Sequence, residues 1–294
     1  MIEIAMYVLI FVAGAFIGSF LNVISDRLQS GESILVGRSH CDNCKTTLSP
    51  FDLVPILSFV FLAGKCRYCK TKLSYYYPFS EFLTGSLFVY AAYISGLFIV
   101  PSVVNWIYYV YIALIFSLFV ILILSDLKFR LLPNKIVFTG IIISLVFLIL
   151  SSSYTLYSIH TQLNADPVLG KYLLQTDFFE SRVLASLRDL SYTLLSAFLL
   201  SLSFYILIIA TRGRGMGGGD VKLAFLIGLF NGFPVNLIAI FLGFVFGAVY
   251  SLVLLLMKKS SLKDTIPFGP FLILGSIIAY NYGYQFLTWY LSLL

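Results

Sequence analysis

In a chain of 294 residues, 60% hydrophobic and 11% charged side chains leave too little polarity to clothe a soluble globule. The mean hydropathy of +0.98 excludes an ordinary water-soluble enzyme and predicts an all-α polytopic membrane protein. The formal net charge of +6 is then a question of sidedness, because lysines and arginines collect in cytoplasmic loops.

The uncharged run 4–24 is long enough to cross about 30 Å of hydrocarbon as a helix. It is preceded by no basic residue and followed by no small-residue cleavage site, so it is expected to be a retained first transmembrane helix within 1–24. Residues 25–78 form the next unit. They carry seven of the 19 basic residues and all four cysteines, as Cys41-Asp42-Asn43-Cys44 and Cys66-Arg67-Tyr68-Cys69. Two C-x2-C knuckles at this separation can wrap one tetrahedral Zn²⁺ through four thiolates. Disulfides are disfavoured on a reducing side of the membrane, and about fifty residues are too few to build much of a core without a metal. With all four ligands cysteine, the site is expected to be closed and structural. His40 and His160 lack ligand spacing and read as bystanders.

Residues 79–294 are expected to form a transmembrane core. Further runs lie at 82–100, 103–125, 190–210, 237–257 and 268–294, with shorter ones at 136–150 and 223–231, giving about eight transmembrane helices. With the N-terminus outside, 16 of the 19 basic residues fall on the cytoplasmic side, in 25–78, 126–135, 211–222 and 258–266. The stretch 152–189 reads as an extracytoplasmic loop of mixed charge with a short surface helix around residues 178–187, and no function is assigned to it.

Two acids stand where charge is costly. Asp126 closes the run 103–125, and Asp220 ends Gly217-Gly218-Gly219-Asp220. Ionisable groups at membrane depth mark function by default, and the predicted topology brings both to one face, 94 positions apart in sequence. From Asp220 to the turn at Asn231-Gly232-Phe233-Pro234 there is room for roughly 20 Å of helix, too little to span a bilayer alone. Residues 215–219 are therefore expected to line a wet cavity, with Asp220 at a helix N-terminus where its charge is favoured. No H-E-x-x-H, G-x-S-x-G, P-loop or G-x-G-x-x-G unit is present. Two carboxylates sharing a proton can activate water and protonate a leaving group, which is aspartic-protease chemistry. A transporter using both acids for ion coupling is the alternative, but no internal repeat of the kind such folds show is evident.

Gly217-Gly218-Gly219-Asp220 fits the GxGD signature of membrane aspartic proteases, and Met216 to Leu223 resembles the corresponding stretch of type IV prepilin peptidases. Asp126 seven residues before Pro133, Gly18-Ser19-Phe20-Leu21-Asn22-Val23 with Arg27, Arg38-Ser39, Tyr77-Pro78 with Glu81, and Ile266-Pro267-Phe268-Gly269-Pro270 agree in the same order. The resemblance implies an endopeptidase with Asp126 and Asp220 as the catalytic pair and Gly217, Gly219 and Lys222 in the active-site loop. Members with the tetracysteine segment cut the short leader from prepilin-like proteins at the cytoplasmic face. They then N-methylate the new terminus with S-adenosylmethionine. The resemblance thus implies prepilin or pseudopilin substrates, a bilayer and no nucleic acid as partners, and a prokaryotic cytoplasmic membrane as the location. The first part of the chain, 25–78, is linked to methyl transfer and the rest to the peptidase. Glu81, Asn22 and Arg27 are the candidates for holding the methyl donor. Each has a plain alternative: a helix-terminal acid, a helix-to-helix hydrogen bond and a positive-inside anchor. A peptidase without methyl transfer is the other outcome. Gln29 and Asp42 stand where proline is frequent in such proteins, and neither touches the expected chemistry.

Overall fold

The computed structural model describes residues 2–30, 33, 37–99, 101–166, 169–213, 216–257 and 266–293. The basic residues of 258–266, together with Arg214 and Gly215 of the glycine stretch, lie outside the described residues. What is described is helical throughout, and two isolated antiparallel bridges are the sole β-pairing among the described residues. Among the described residues five helices are long and apolar enough to cross a membrane by length and composition: α1 (Ile2–Ser30), α4 (Val103–Phe129), α5 (Asn134–Ala165), α7 (Phe178–Ala210) and α9 (Val235–Leu256). The remaining helices are α2 (Leu57–Phe61), α3 (Tyr76–Ile94), α6 (Leu169–Gln175), α8 (Gly218–Asn231) and α10 (Gly269–Leu291). The chain divides into two compact units, residues 1–136 and 137–294.

In the first unit α1 lies along α3, and α4 packs on both. The approach of α1 to α3 is set by small residues, as is usual between membrane helices. A Cβ on Gly14 would stand 2.9 Å from Phe88, and one on Gly18 would stand 3.0 Å from the Glu81 backbone. This Gly-x-x-x-Gly pair is therefore a packing device as well as part of a motif. Helix α4 carries the core, with Ile112, Ile115, Phe116, Phe119, Val120 and Leu122 wholly buried. It ends where Arg130 adopts a left-handed conformation at φ 54° and returns its amide to the Asp126 carbonyl. Pro133 follows and forbids continuation.

In the second unit α7 packs on α8, α8 on α9 and α10, and α9 on α10. Helix α8 is the buried element, with Leu223, Ala224, Leu226 and Ile227 wholly enclosed. Its 14 residues span about 21 Å, in line with the short segment predicted from the sequence. At its far end the half-buried Asn231 donates to Ser276 of α10 at 2.6 Å, and beside it Asn236 of α9 donates to Ser196 of α7 at 2.7 Å. Such bonds hold membrane helices in register where hydrophobicity cannot.

One expectation is corrected. Residues 152–189 are not a loop with one short helix: α5 runs on to Ala165, α6 occupies Leu169–Gln175, and α7 starts at Phe178 and continues through the apolar run to Ala210. The polarity of this stretch marks exposure and not irregular backbone. Residues 151–165 hold no glycine or proline, so α5 has nothing to stop it before Pro167. Helix α1 likewise outruns its predicted end at residue 24 and carries Asp26 and Arg27 in its last turns.

Candidate functional site

The four cysteines converge. Their Sγ atoms all lie within 4.8 Å of one another, and Cys41 and Cys69 are 3.8 Å apart. A tetrahedral metal with sulfur at about 2.3 Å requires sulfur–sulfur edges of about 3.8 Å, whereas a disulfide requires about 2.05 Å. The cluster therefore fits a metal cage, and no two of these cysteines are disulfide-bonded.

Each knuckle is built the same way. The Cys41 amide donates to Thr46, the Lys45 amide to Cys41 and the Leu48 amide to Ser39; 25 residues on, Cys66 donates to Thr71, Lys70 to Cys66 and Leu73 to Gly64. Lys45 and Lys70 take the left-handed conformation, at φ 56° and 59°, that closes each turn. The bridges His40–Thr47 and Lys65–Lys72 complete the correspondence. The sequence carries this repeat as C-x-x-C-K-T-x-L at Cys41–Leu48 and Cys66–Leu73, a signal that attention to the cysteines alone passes over. Hydrogen bonding with Thr71, and then with Asn43, pulls the Cys69 thiol down to about 5. The Cys44 backbone amide lowers Cys41, but burial and the thiols of Cys66 and Cys44 outweigh it and push Cys41 up to about 11. Four crowded sulfurs cannot all ionise without a cation among them.

Asp52, which the sequence analysis did not single out, fastens the second knuckle. Its buried carboxylate accepts Arg67 Nε at 2.6 Å, the Ser49 hydroxyl and amide at 2.9 and 3.1 Å, and the Tyr68 hydroxyl at 3.4 Å. Arg67 and Tyr68 are the two residues between Cys66 and Cys69. Burial pushes the Asp52 carboxyl up, yet the bonds from Arg67 and Ser49 prevail and hold it below its usual 3.8. A depressed carboxyl stabilises the fold above its unfolded value and loses that contribution as the pH falls through the folded one. The anchor is thus intact at neutral pH and fails only below 3.8. Breaking a charged, buried hydrogen-bond set costs about 1–3 kcal/mol. Asp52→Ala should therefore speed loss of bound metal to a competing chelator by roughly tenfold or more, read by a colorimetric metal indicator.

Asn22, Arg27 and Glu81 line one cavity of about 970 Å³ together with Asp26, His40, Cys41, Asp52, Tyr77 and Lys128. The volume is that of a site for a cofactor-sized molecule. Asn22, 3% exposed, accepts the Ser80 hydroxyl at 2.8 Å, while its Nδ2 meets no partner among the described residues. A buried amide donor on a cavity wall is unsatisfied until something enters the cavity. Arg27 holds the chain leaving α1, donating to the carbonyls of Ser33 at 3.0 Å and Gly37 at 3.3 Å. Glu81 accepts the Ile56 amide at 2.7 Å, and Ile56 sits at φ 61° and ψ −52°. That conformation is an outlier for a β-branched residue, so the Glu81 carboxylate clamps a strained turn against α3.

The two aspartates lie in different units. Asp126, 6% exposed, is in the last turns of α4, and Asp220, 9% exposed, is the third residue of α8. Asp220 Oδ2 accepts the Gly217 amide at 3.2 Å, half of a capping box, and the positive helix end favours its charge. Gly217 and Gly218 are exposed. A Cβ at Gly218 would meet nothing within 4 Å, and one at Gly217 would meet only Asp220 and the Gly219 amide at 3.9–4.0 Å. Gly217 has an ordinary extended backbone at φ −88°, so bare approach to Asp220, and not backbone strain, is what glycine supplies there. Lys222 lies over the Phe138 ring at 5.6 Å.

Fold and site together define a multi-pass helical membrane protein with a tetracysteine metal-binding segment and two buried aspartates near helix ends. Residues 12–95 match the model of the bacterial peptidase A24 N-terminal domain, and residues 112–252 match that of the type IV leader peptidase family. The chain is 30% identical to the prepilin leader peptidase/N-methyltransferase of Bacillus subtilis (strain 168), over 97% of this chain and 98% of that protein. Proteins of the same description from Stutzerimonas stutzeri and Pseudomonas aeruginosa are 28% and 25% identical, over 96% and 95% of this chain and 92% and 91% of theirs. No solved structure matches. The chain belongs to the prepilin leader peptidase/N-methyltransferase family.

Proposed function

We propose that this chain removes the leader from prepilin-like proteins and then N-methylates the exposed terminus, with Asp126 and Asp220 as the proteolytic pair. The observation that carries the peptidase assignment is the burial of both carboxylates near helix ends in so apolar a chain, where a charge without a task is costly. One carboxylate takes a proton from water as the water attacks the scissile carbonyl. The other gives a proton to the leaving nitrogen, so the amide becomes an acid and a free amine. Gly217 and Gly219 leave the substrate backbone room beside Asp220, and Lys222, expected in a loop, is instead carried by the first turns of helix α8. Eight crossings with the N-terminus outside place 16 of the 19 basic residues, and both aspartates, on the cytoplasmic face of a prokaryotic cytoplasmic membrane.

Methyl transfer falls to the cavity walled by Asn22, Arg27 and Glu81. S-adenosylmethionine supplies an electrophilic methyl group when bound. The unsatisfied Asn22 amide offers it a hydrogen bond, and Glu81 offers a negative charge to a sulfonium or to an ammonium. The acceptor amine must be neutral to react, a modest demand given an ordinary value of about 7.7–8.0. Zn²⁺ on Cys41, Cys44, Cys66 and Cys69 shapes this part of the chain without touching the chemistry. The order of events is forced, because the acceptor amine exists only after cleavage. Incubation of the purified chain with a prepilin-like substrate and a methyl donor should yield a shortened product bearing one added methyl group, read by mass spectrometry of its N-terminus. Glu81→Gln keeps an acceptor oxygen for the Ile56 amide but loses the charge. It should give full cleavage with methylation reduced more than about tenfold, the scale of one charge-assisted contact. A fully methylated Glu81→Gln product would exclude Glu81 from the donor site.

A further inference from the structure

We infer that helix α2, inside the segment 25–78 predicted to lie on the cytoplasmic side, is inserted into the membrane interface and walls the cavity off from lipid. Its depth is fixed by two contacts. The Ile56 amide at its start is bonded to Glu81 at 2.7 Å, and Glu81 is level with Gly18 of α1, whose Cβ would stand 3.0 Å from the Glu81 Cα. Gly18 lies six residues inside the uncharged run that ends at Ile24, or about 9 Å at the rise of an α-helix. Interfacial helices bury their apolar faces by about 5–10 Å. An element held at the level of Gly18 therefore sits at the boundary of headgroups and acyl chains.

The faces of α2 are sorted accordingly. Ser58, Phe59 and the following Leu62 line the cavity. Leu57, Val60 and Phe61 face outward, Phe61 being 83% exposed. An uncovered leucine, valine and phenylalanine on five residues would be a liability in water. The apolar surface continues onto the neighbouring membrane helices, where Tyr75, Phe79 and Phe82 beside α3 and Phe20 on α1 are also exposed, and Phe59 packs on Tyr75 at 5.3 Å. The charge of the segment agrees with an anionic bilayer surface. Residues 37–75 hold Arg38, Lys45, Lys65, Arg67, Lys70 and Lys72 against Asp42 and Asp52, and cations near the surface are drawn to anionic lipid. The occupant of the outer face of α2 is thus lipid, and the strained Ile56 clamp is what holds the helix at that depth.

The test is photocrosslinking in proteoliposomes of phosphatidylethanolamine and phosphatidylglycerol, with p-benzoylphenylalanine replacing Phe61, or Thr47 as an exposed control on the first knuckle. Lipid adducts at position 61 should exceed those at 47 at least several-fold, and added prepilin-like peptide should leave them unchanged. Adducts confined to the peptide would make the face a substrate surface and overturn the proposal, as would an adduct yield at 61 no higher than at 47. A second probe at Leu57 carries the same expectation should the Phe61 variant be found misfolded by its protease sensitivity. The result does not depend on the methyl-transfer assignment, since lipid adducts form whether or not the cavity binds a donor.

Discussion

Asp126→Asn and Asp220→Asn should each abolish leader removal, lowering the cleavage rate by more than about 10³-fold, the scale of losing a member of a catalytic unit. Neither change alters side-chain size, and both remove a buried acid, so the proteins should accumulate and insert as wild type does. Asp220→Asn keeps an amide oxygen to accept the Gly217 amide, so the start of α8 survives the substitution. The double variant should be no worse than either single one, because groups that act as a unit are not additive. The decisive measurement is the ratio of uncut to cut substrate in membranes with matched amounts of enzyme. A single variant that cleaves at near the wild-type rate would dismiss the pair. Methylation must vanish with cleavage in both variants but should return when a pre-cut substrate is supplied. That rescue separates a chemical defect from a folding one.

The sequence disclosed the parts of this protein whose physics is local. Uncharged runs gave the helices, two C-x2-C knuckles gave the cluster, and the glycines before Asp220 gave the start of α8. What it disclosed less well depends on contacts between segments far apart in the chain. Nothing near Asp52 announces that its carboxylate will meet Arg67 fifteen residues on, and nothing near Ile56 announces a strained turn held by Glu81. The knuckle repeat was legible in C-K-T-x-L, and so was Gly14-x-x-x-Gly18. Both required looking beyond the chemically loud residues to those that shape the backbone. The misreading of 152–189 has the same root. Polarity signals exposure and not irregular backbone, and the residues that end helices, glycine and proline, are absent from 151–165.

Removal of the metal should have an effect of comparable size, confined to the other activity. Between residues 37 and 75 the buried residues are Cys41, Pro55 and Cys66, so no apolar core supports this segment. Its order rests on the sulfur cage, on the Asp52 anchor and on the Glu81 clamp. The binding free energy of a structural Zn²⁺ is about 10–16 kcal/mol in small domains, far beyond what a few hydrogen bonds at about 1 kcal/mol each can replace. Cys41→Ser with Cys66→Ser should therefore unfold the segment, seen as protease cleavage within 37–75, and should lower metal content from one ion per chain to none. Methylation should be lost with it, because most of the residues lining the cavity, His40, Cys41, Asp52 and Cys66 among them, belong to this segment. Leader removal should persist at a large fraction of the wild-type rate, since Asp126 and Asp220 are held by α4 and α8, whose cores are made of their own buried apolar side chains. A purified chain with no metal and full methylation would refute the structural role. One that loses both activities together would show that the peptidase also leans on the cysteine cluster.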